Sequence, residues 1–276
     1  MLRQRVFTAL TLILIAVGAV IWSSTAFALV ATAVLGFALA EWLQLTGATR
    51  TASVIVALSV AVILIVMLVA ARDVIALAVL PLAALASAIW LIIVVLVMQP
   101  GAMSFRLPPP AGMTLAVVLV LAAWLALMQL LLQGAATLLS VLLIVWIADT
   151  AAYFAGRAFG RRKLAPHISP GKTWAGVAGA ILAVLLAALI VRQFFPVAPL
   201  YSNHLFATIG VLATLLILTL LVALSVIGDL FESLLKRQAG VKDSSQLLPG
   251  HGGVLDRVDA MVPLLPAAVL IQWLVR

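Results

Sequence analysis

The sequence predicts an all-α, polytopic membrane protein with about nine transmembrane helices and a cytoplasmic N-terminus. Three observations lead there. Hydrophobic residues make up 66% of the 276 and charged residues 9%, whereas a soluble domain carries about 25% charged residues. The apolar runs are long and do not alternate. A bilayer makes the backbone satisfy its own hydrogen bonds, which leaves helices or closed barrels, and unalternating runs select helices. Finally, Lys and Arg fall overwhelmingly on one side of the spans those runs define.

A span needs about 20 apolar residues. Runs of that kind lie near 6–22, 25–46, 53–71, 74–98, 114–132, 135–154, 174–193, 204–228 and 260–275. The fourth carries Pro81, which predicts a kink, and the short last one carries Pro263 and Pro266. "AFA" at 26–28 has the form of a signal-peptidase site, but another apolar span follows at once and no polar mature domain follows it, so cleavage is not expected. "MSFRLPPPAG" reads as a Pro-rich spacer.

With the N-terminus inside, thirteen of the sixteen Lys and Arg residues lie on the inner side. Only Arg72, Arg192 and Arg276 lie outside. The positive-inside rule then gives N-in and, for nine spans, C-out. Both large polar segments, 155–173 and 229–259, become cytoplasmic. The chain divides at about 140: residues 1–140 form N-terminal transmembrane helices, and 141–276 form a C-terminal transmembrane region with those two loops. No internal repeat is visible.

The absence of cysteine removes disulfides, iron–sulfur clusters and thiolate zinc sites. His167, His204 and His251 lie too far apart in sequence for a histidine zinc motif. The net charge of +8 reads as loop lysines and arginines facing anionic headgroups, not as nucleic-acid binding.

Six of the eight acidic residues fall between 149 and 259. Asp149 closes an apolar span, and a carboxylate within a membrane is a functional candidate. On a helix it shares a face with Tyr153 and Gly156. The competing reading is a carboxylate snorkelling to the interface or paired with Arg157. "HISPGKTWAG" at 167–176 ends like a phosphate loop, but Pro166 stands where the first glycine of that pattern belongs, so a Walker A is rejected. Ser169, Lys172 and Thr173 still precede a helix whose N-terminus favours anions; the alternative is an N-cap with an anchoring lysine. In "SVIGDLFESLLKRQAGVKDSSQLLPGHGGVLDRVDAM", Asp229, Glu232 and Lys236 share a face if the helix runs past the membrane, and Glu232–Lys236 reads as an i, i+4 ion pair. Asp256 and Asp259 share a face if the next helix begins near 256. Between them, Gly240, Pro249, Gly250, Gly252 and Gly253 form a loop able to approach an anion closely. Lys236, Arg237, Lys242 and Arg257 supply positive charge. Asp229, Asp243, Asp256 and Asp259 supply hard oxygen ligands suited to Mg²⁺. The mixture suits a metal-bound polyphosphate, although a regulatory or headgroup-binding loop has a similar composition.

The segment "SLLKRQAGVKDSSQLLPGHGGVLDRVD", 233–259, resembles the signature of the phosphatidate cytidylyltransferase (CDP-diacylglycerol synthase) family. Every fixed position of that pattern is filled, from Ser233, Leu235, Lys236 and Arg237 through Lys242 and Asp243 to Leu248–Gly253, Asp256, Arg257 and Asp259. "ADTAAYFAGRAFGRRK" and "ISPGKTWAG" are similar to the family as well. The likeness is detailed over about 145–259 and limited to hydropathy over the first 140 residues. Ala175 departs from it, since many members carry a polar or acidic residue after that Trp.

The resemblance implies Mg²⁺-dependent transfer from CTP to phosphatidate, giving CDP-diacylglycerol and pyrophosphate. Asp229, Lys236, Asp256 and Arg257 are then expected to be catalytic. Ser169, Lys172, Thr173, Arg237, Lys242, Asp243, His251, Gly252, Gly253, Asp259 and Tyr153 are expected to contact substrate. Asp229, Asp256 and Asp149 are the expected Mg²⁺ ligands. CTP, phosphatidate and membrane lipids are the expected partners, with a homodimer as a further expectation and an inner (plasma) membrane as the location. A transporter with an intramembrane carboxylate site is the rival class, but paired broken helices in two related halves are not seen. The D-G-x2-A-R hallmark of CDP-alcohol phosphatidyltransferases is absent.

Overall fold

The computed structural model describes residues 14, 18–70, 72–99, 101–248, 250 and 252–276. The first expected span, 6–22, lies mostly outside them. Every later expected span has its helix: α1 Ser24–Leu45, α2 Arg50–Ala70, α3 Arg72–Met98, α4 Pro109–Gln133, α5 Ala135–Phe159, α6 Trp174–Phe194 and α7 Tyr201–Gln238. A single turn, α8 Leu255–Val258, leads into α9 Met261–Leu274, and together they make the eighth candidate membrane span among the described residues. The first polar segment holds an unpredicted antiparallel hairpin, β1 Lys163–Ala165 and β2 Ser169–Thr173.

Local chemistry sets the helix ends. The Ser23 hydroxyl caps α1 by accepting from the Ala26 N–H at 3.0 Å, and Thr173 caps α6 by accepting from the Gly176 N–H at 3.1 Å. Helix α4 begins at Pro109, inside the expected Pro-rich spacer, because a proline in the first turn has no N–H to leave unpaired. Helix α3 runs through Pro81. The non-helical backbone falls instead at Gly210 of α7, with φ 77° and ψ −178°, a conformation open to glycine. From there to Gln238 the helix is about 42 Å long at 1.5 Å per residue, against a hydrocarbon core of about 30 Å. Its last turns therefore leave the membrane and carry Asp229 to Arg237 toward water.

The core is built by α1, α4, α7 and α9, while α2 and α6 turn most of their apolar surface outward to lipid. Buried polar links join the central helices. The Trp124 indole N–H donates to the Thr32 hydroxyl at 2.8 Å, joining α4 to α1. The Tyr201 hydroxyl donates to the Ala268 carbonyl at 3.0 Å, joining α7 to α9. Helices α5 and α6 meet through small residues, as membrane helices commonly do. A Cβ on Gly179 would lie 2.3 Å from that of Ala155. This close pair fixes the hairpin between them.

Contacts between loops support the alternating topology. The Gln238 amide at the end of α7 donates to the Phe105 carbonyl in the α3–α4 loop at 2.6 Å. Arg237 reaches the Ile168 carbonyl in the hairpin. On the opposite side, the Thr137 hydroxyl at the start of α5 donates to the Pro199 carbonyl before α7 at 3.0 Å. All three pairs join segments that the span order puts on one side. The chain has no cysteine, so introduced thiols report cleanly. In intact cells, a membrane-impermeant thiol reagent is expected to label Val197→Cys and spare His167→Cys. The reverse pattern would invert the orientation, and labelling of both would break the alternation.

Candidate functional site

The site grows from the last turns of α7. Phe231 anchors them: the rings of Trp42 on α1 and Trp90 on α3 meet it edge-on, with centroids 5.9 and 5.7 Å away. Gly228, one turn earlier, sets the approach to α9. A Cβ there would lie 2.5 Å from the Asp259 carbonyl and 2.8 Å from the Pro263 ring. Only a glycine lets the start of α9 come so near. As a result, ligand oxygens of Asp229, Glu232 and Asp259 all lie within 4.8 Å of one another. Lys172 closes one side, its Nζ 2.8 Å from Asp229 Oδ2 and 3.2 Å from the Val226 carbonyl. Asp149 is exposed on α5 and interacts electrostatically with Asp229, Lys172 and Arg257. Asp229 keeps 38% of its side chain accessible, so the cluster is open to solutes.

Behind it lies a second constellation. The Lys236 ammonium is buried between the carboxylates of Glu232 and Asp256. Glu232–Lys236 is thus the i, i+4 pair that spacing suggested, but an inward-facing one. Asp256 gives one oxygen to Lys236. The other accepts from the Gly253 N–H at 2.7 Å, the Ser244 N–H at 3.1 Å and the Ser244 hydroxyl at 3.0 Å. The same Ser244 hydroxyl lies 2.8 Å from Glu41 Oε2, so its single proton is shared between the two carboxylates. Glu41, buried on α1, was not singled out from the sequence. Its signal was present, since it is a lone carboxylate in the apolar run "FALAEWLQL", which an intramembrane acid rarely occupies without a role.

The other expected residues distribute unevenly. Arg257 is exposed and interacts electrostatically with Asp149. Lys242 and Asp243 are exposed in the loop after α7. Arg237, also exposed, donates to the Ile168 and Val241 carbonyls and so ties hairpin to loop. The Leu248 N–H donates to the Gly252 carbonyl at 2.9 Å, and Gly253 is buried against Ser244 and Glu41. Pro249 and His251 lie outside the described residues. Ser169 is half-buried in β2. Thr173 is buried and its hydroxyl caps α6. Tyr153 is exposed and accepts from Arg157 at 3.2 Å, while Gly156 packs toward Thr173. The face shared by Asp149, Tyr153 and Gly156 therefore splits between the site and its surroundings.

The four carboxylates Asp149, Asp229, Glu232 and Asp259 outnumber the three cations that interact with them, Lys172, Lys236 and Arg257. That surplus of hard oxygen suits a cation such as Mg²⁺. Lys172 and Arg257 suit the phosphates that such an ion escorts.

Fold and site together define a multi-pass membrane protein with a carboxylate–lysine centre where its longest helix leaves the bilayer. The chain matches the model of the cytidylyltransferase family over residues 3–275, and it belongs to that family. A Pseudomonas aeruginosa protein named phosphatidate cytidylyltransferase is 38% identical over 285 residues, covering 99% of this chain and 97% of that one. A Haemophilus influenzae protein of the same name is 48% identical over 134 residues, 49% of this chain and 44% of that relative. A Brucella suis protein, again so named, is 46% identical over 129 residues and 44% of its length. The chain thus aligns with less than half of the last two and nearly all of the first.

The two constellations separate by mutation. Asp256→Asn leaves the buried Lys236 without its second carboxylate and is expected to lose about 3–5 kcal/mol of stability, the usual result of breaking a buried pair. Asp229→Asn, at the more open rim, should melt near the parent. Thermal unfolding of both in detergent checks this; equal melting of the two variants would contradict it.

Proposed function

We propose that this chain transfers the cytidylyl group of CTP to phosphatidate, giving CDP-diacylglycerol and pyrophosphate. The observation that carries the reading is the family signature, 233–259, folded around the Asp229–Glu232–Asp259 cluster in a chain alike over nearly its whole length to a phosphatidate cytidylyltransferase. A phosphate oxygen of the lipid attacks the α-phosphorus of CTP. The bond from that phosphorus to the α–β bridging oxygen breaks, and pyrophosphate leaves with the electron pair. The nucleophile is already an anion, so no strong general base is required. The demands are bringing two polyanions together and stabilising the leaving charge.

The residues divide those tasks. Asp229, Asp259 and Glu232 would hold Mg²⁺, with Asp149 beside them; bound there, the ion would offset the charge of the triphosphate and the departing pyrophosphate. Lys172 and Arg257, at the accessible rim, meet phosphate oxygens. Lys236 and Asp256 keep the helix end and the glycine loop in register. The position at the end of α7 suits a lipid arriving from the bilayer and a nucleotide arriving from the cytosol. An inner (plasma) membrane with the 155–173 and 229–259 segments facing the cytoplasm fits the Lys and Arg asymmetry. Assembly as a homodimer belongs to the same reading and is tested by the mass of the purified protein in detergent. The transporter reading finds no support in the family.

The purified protein is expected to release pyrophosphate from CTP only when phosphatidate and Mg²⁺ are both present, with ATP and GTP as poor substitutes. Equal rates with all nucleotides, turnover without lipid, or full activity in excess chelator would each refute part of the assignment.

A further inference from the structure

Glu41 lies on α1, in the half of the chain where the signature has no counterpart, and it is 5% exposed. It meets the signature loop at both ends. Oε1 accepts from the Ser245 hydroxyl at 2.6 Å and the Val254 N–H at 3.0 Å. Oε2 accepts from the Ser244 hydroxyl at 2.8 Å and the Leu255 N–H at 2.7 Å. One carboxylate thereby joins the start of the loop to its end. The fit is close, because a Cβ on Gly253 would lie 2.0 Å from the Ser244 hydroxyl and 2.4 Å from Glu41 Oε2. Ser244 passes the restraint on to Asp256, and Asp256 holds Lys236.

We propose that Glu41 is a positioning residue for the transfer reaction: it latches Ser244 and Ser245 to Val254 and Leu255, so that Asp256 and Lys236 hold the carboxylate cluster in its working geometry. The inference rests on the function proposed above. Its chemistry is specific to a carboxylate. Each oxygen takes one backbone N–H, so both must be acceptors, and a serine hydroxyl lies against each, that of Ser244 shared with Asp256. A glutamine of the same shape would point its NH₂ at the N–H of Val254 or of Leu255, whichever way it turned, and buried donors facing each other are costly. An aspartate is one methylene too short to reach both ends.

The test compares parent, Glu41→Gln and Ser245→Ala, the last removing one hydroxyl, which also accepts from the Leu247 N–H at 3.1 Å, and leaving the Val254 and Leu255 donors in place. Two readings are taken in detergent: hydrogen exchange of the segment 244–255 against that of α4 and α9, and kcat and KM for CTP with saturating phosphatidate. Glu41→Gln is expected to speed exchange of the loop at least tenfold with α4 and α9 unchanged, and to lower kcat at least tenfold. Ser245→Ala should move both readings the same way by less. A residue that only adds stability would lower the melting temperature and leave kcat per folded molecule at the parental value. Unchanged exchange in the loop overturns the latch, and faster exchange with parental kcat overturns the positioning role. Should Glu41→Gln fail to fold, Ser245→Ala decides alone, and parental values for both readings overturn the proposal. An inactive parent would refute the transfer reaction instead, and the exchange readings would still decide whether the latch exists.

Discussion

The Lys236 ammonium, buried between Glu232 and Asp256, is the interaction on which the rest of the site depends. A cation withdrawn from water next to a bilayer is tolerable only with close partners. Meeting that need fixes three separate pieces of chain. Glu232 belongs to the helix that leaves the membrane, Asp256 to the turn before the last span, and Ser244, bonded to Asp256, to the loop between them. Through Ser244 the same chain of bonds reaches Glu41 on α1. The N-terminal helices are therefore more than a membrane anchor: their buried charge is part of one network with the carboxylates of the signature.

Packing serves this network. Phe231, held between Trp42 and Trp90, orients the turn that carries Asp229 and Glu232. Gly228 lets Asp259 close on them. The tight α5–α6 pair brings the hairpin and Lys172 against the same turn. Apolar contacts set the helix positions, and these place Glu232 and Asp256 against Lys236 and Asp229 against Lys172.

Much of this was legible beforehand. Hydropathy placed the helices because the membrane permits little else, and spacing on α7 put Asp229, Glu232 and Lys236 on one face. What escaped had physical reasons. Gly210 breaks α7 inside a run too apolar to mark a boundary, whereas Pro81, the visible breaker, is carried within a continuous helix. The hairpin at 163–173 is held by strand pairing and by contact with α7 rather than by β-branched residues, so composition gave no sign of it. The link from Glu41 to Ser244 and Val254 spans some two hundred residues, and local spacing carries no information about it. The sequence also showed Asp256 as a charge beside others without showing that its oxygens are taken up by Lys236 and the loop.

The central claim is that Lys236 compensates Glu232 and Asp256, so its removal should harm chiefly by stranding buried carboxylates. Thermal unfolding of Lys236→Met alone and of Lys236→Met combined with Glu232→Gln tests it directly. The account predicts that Lys236→Met melts far below the parent and that adding Glu232→Gln recovers a substantial part of the loss, because one stranded charge is neutralised. If the second substitution lowers the melting temperature further, the buried network does not hold this site together.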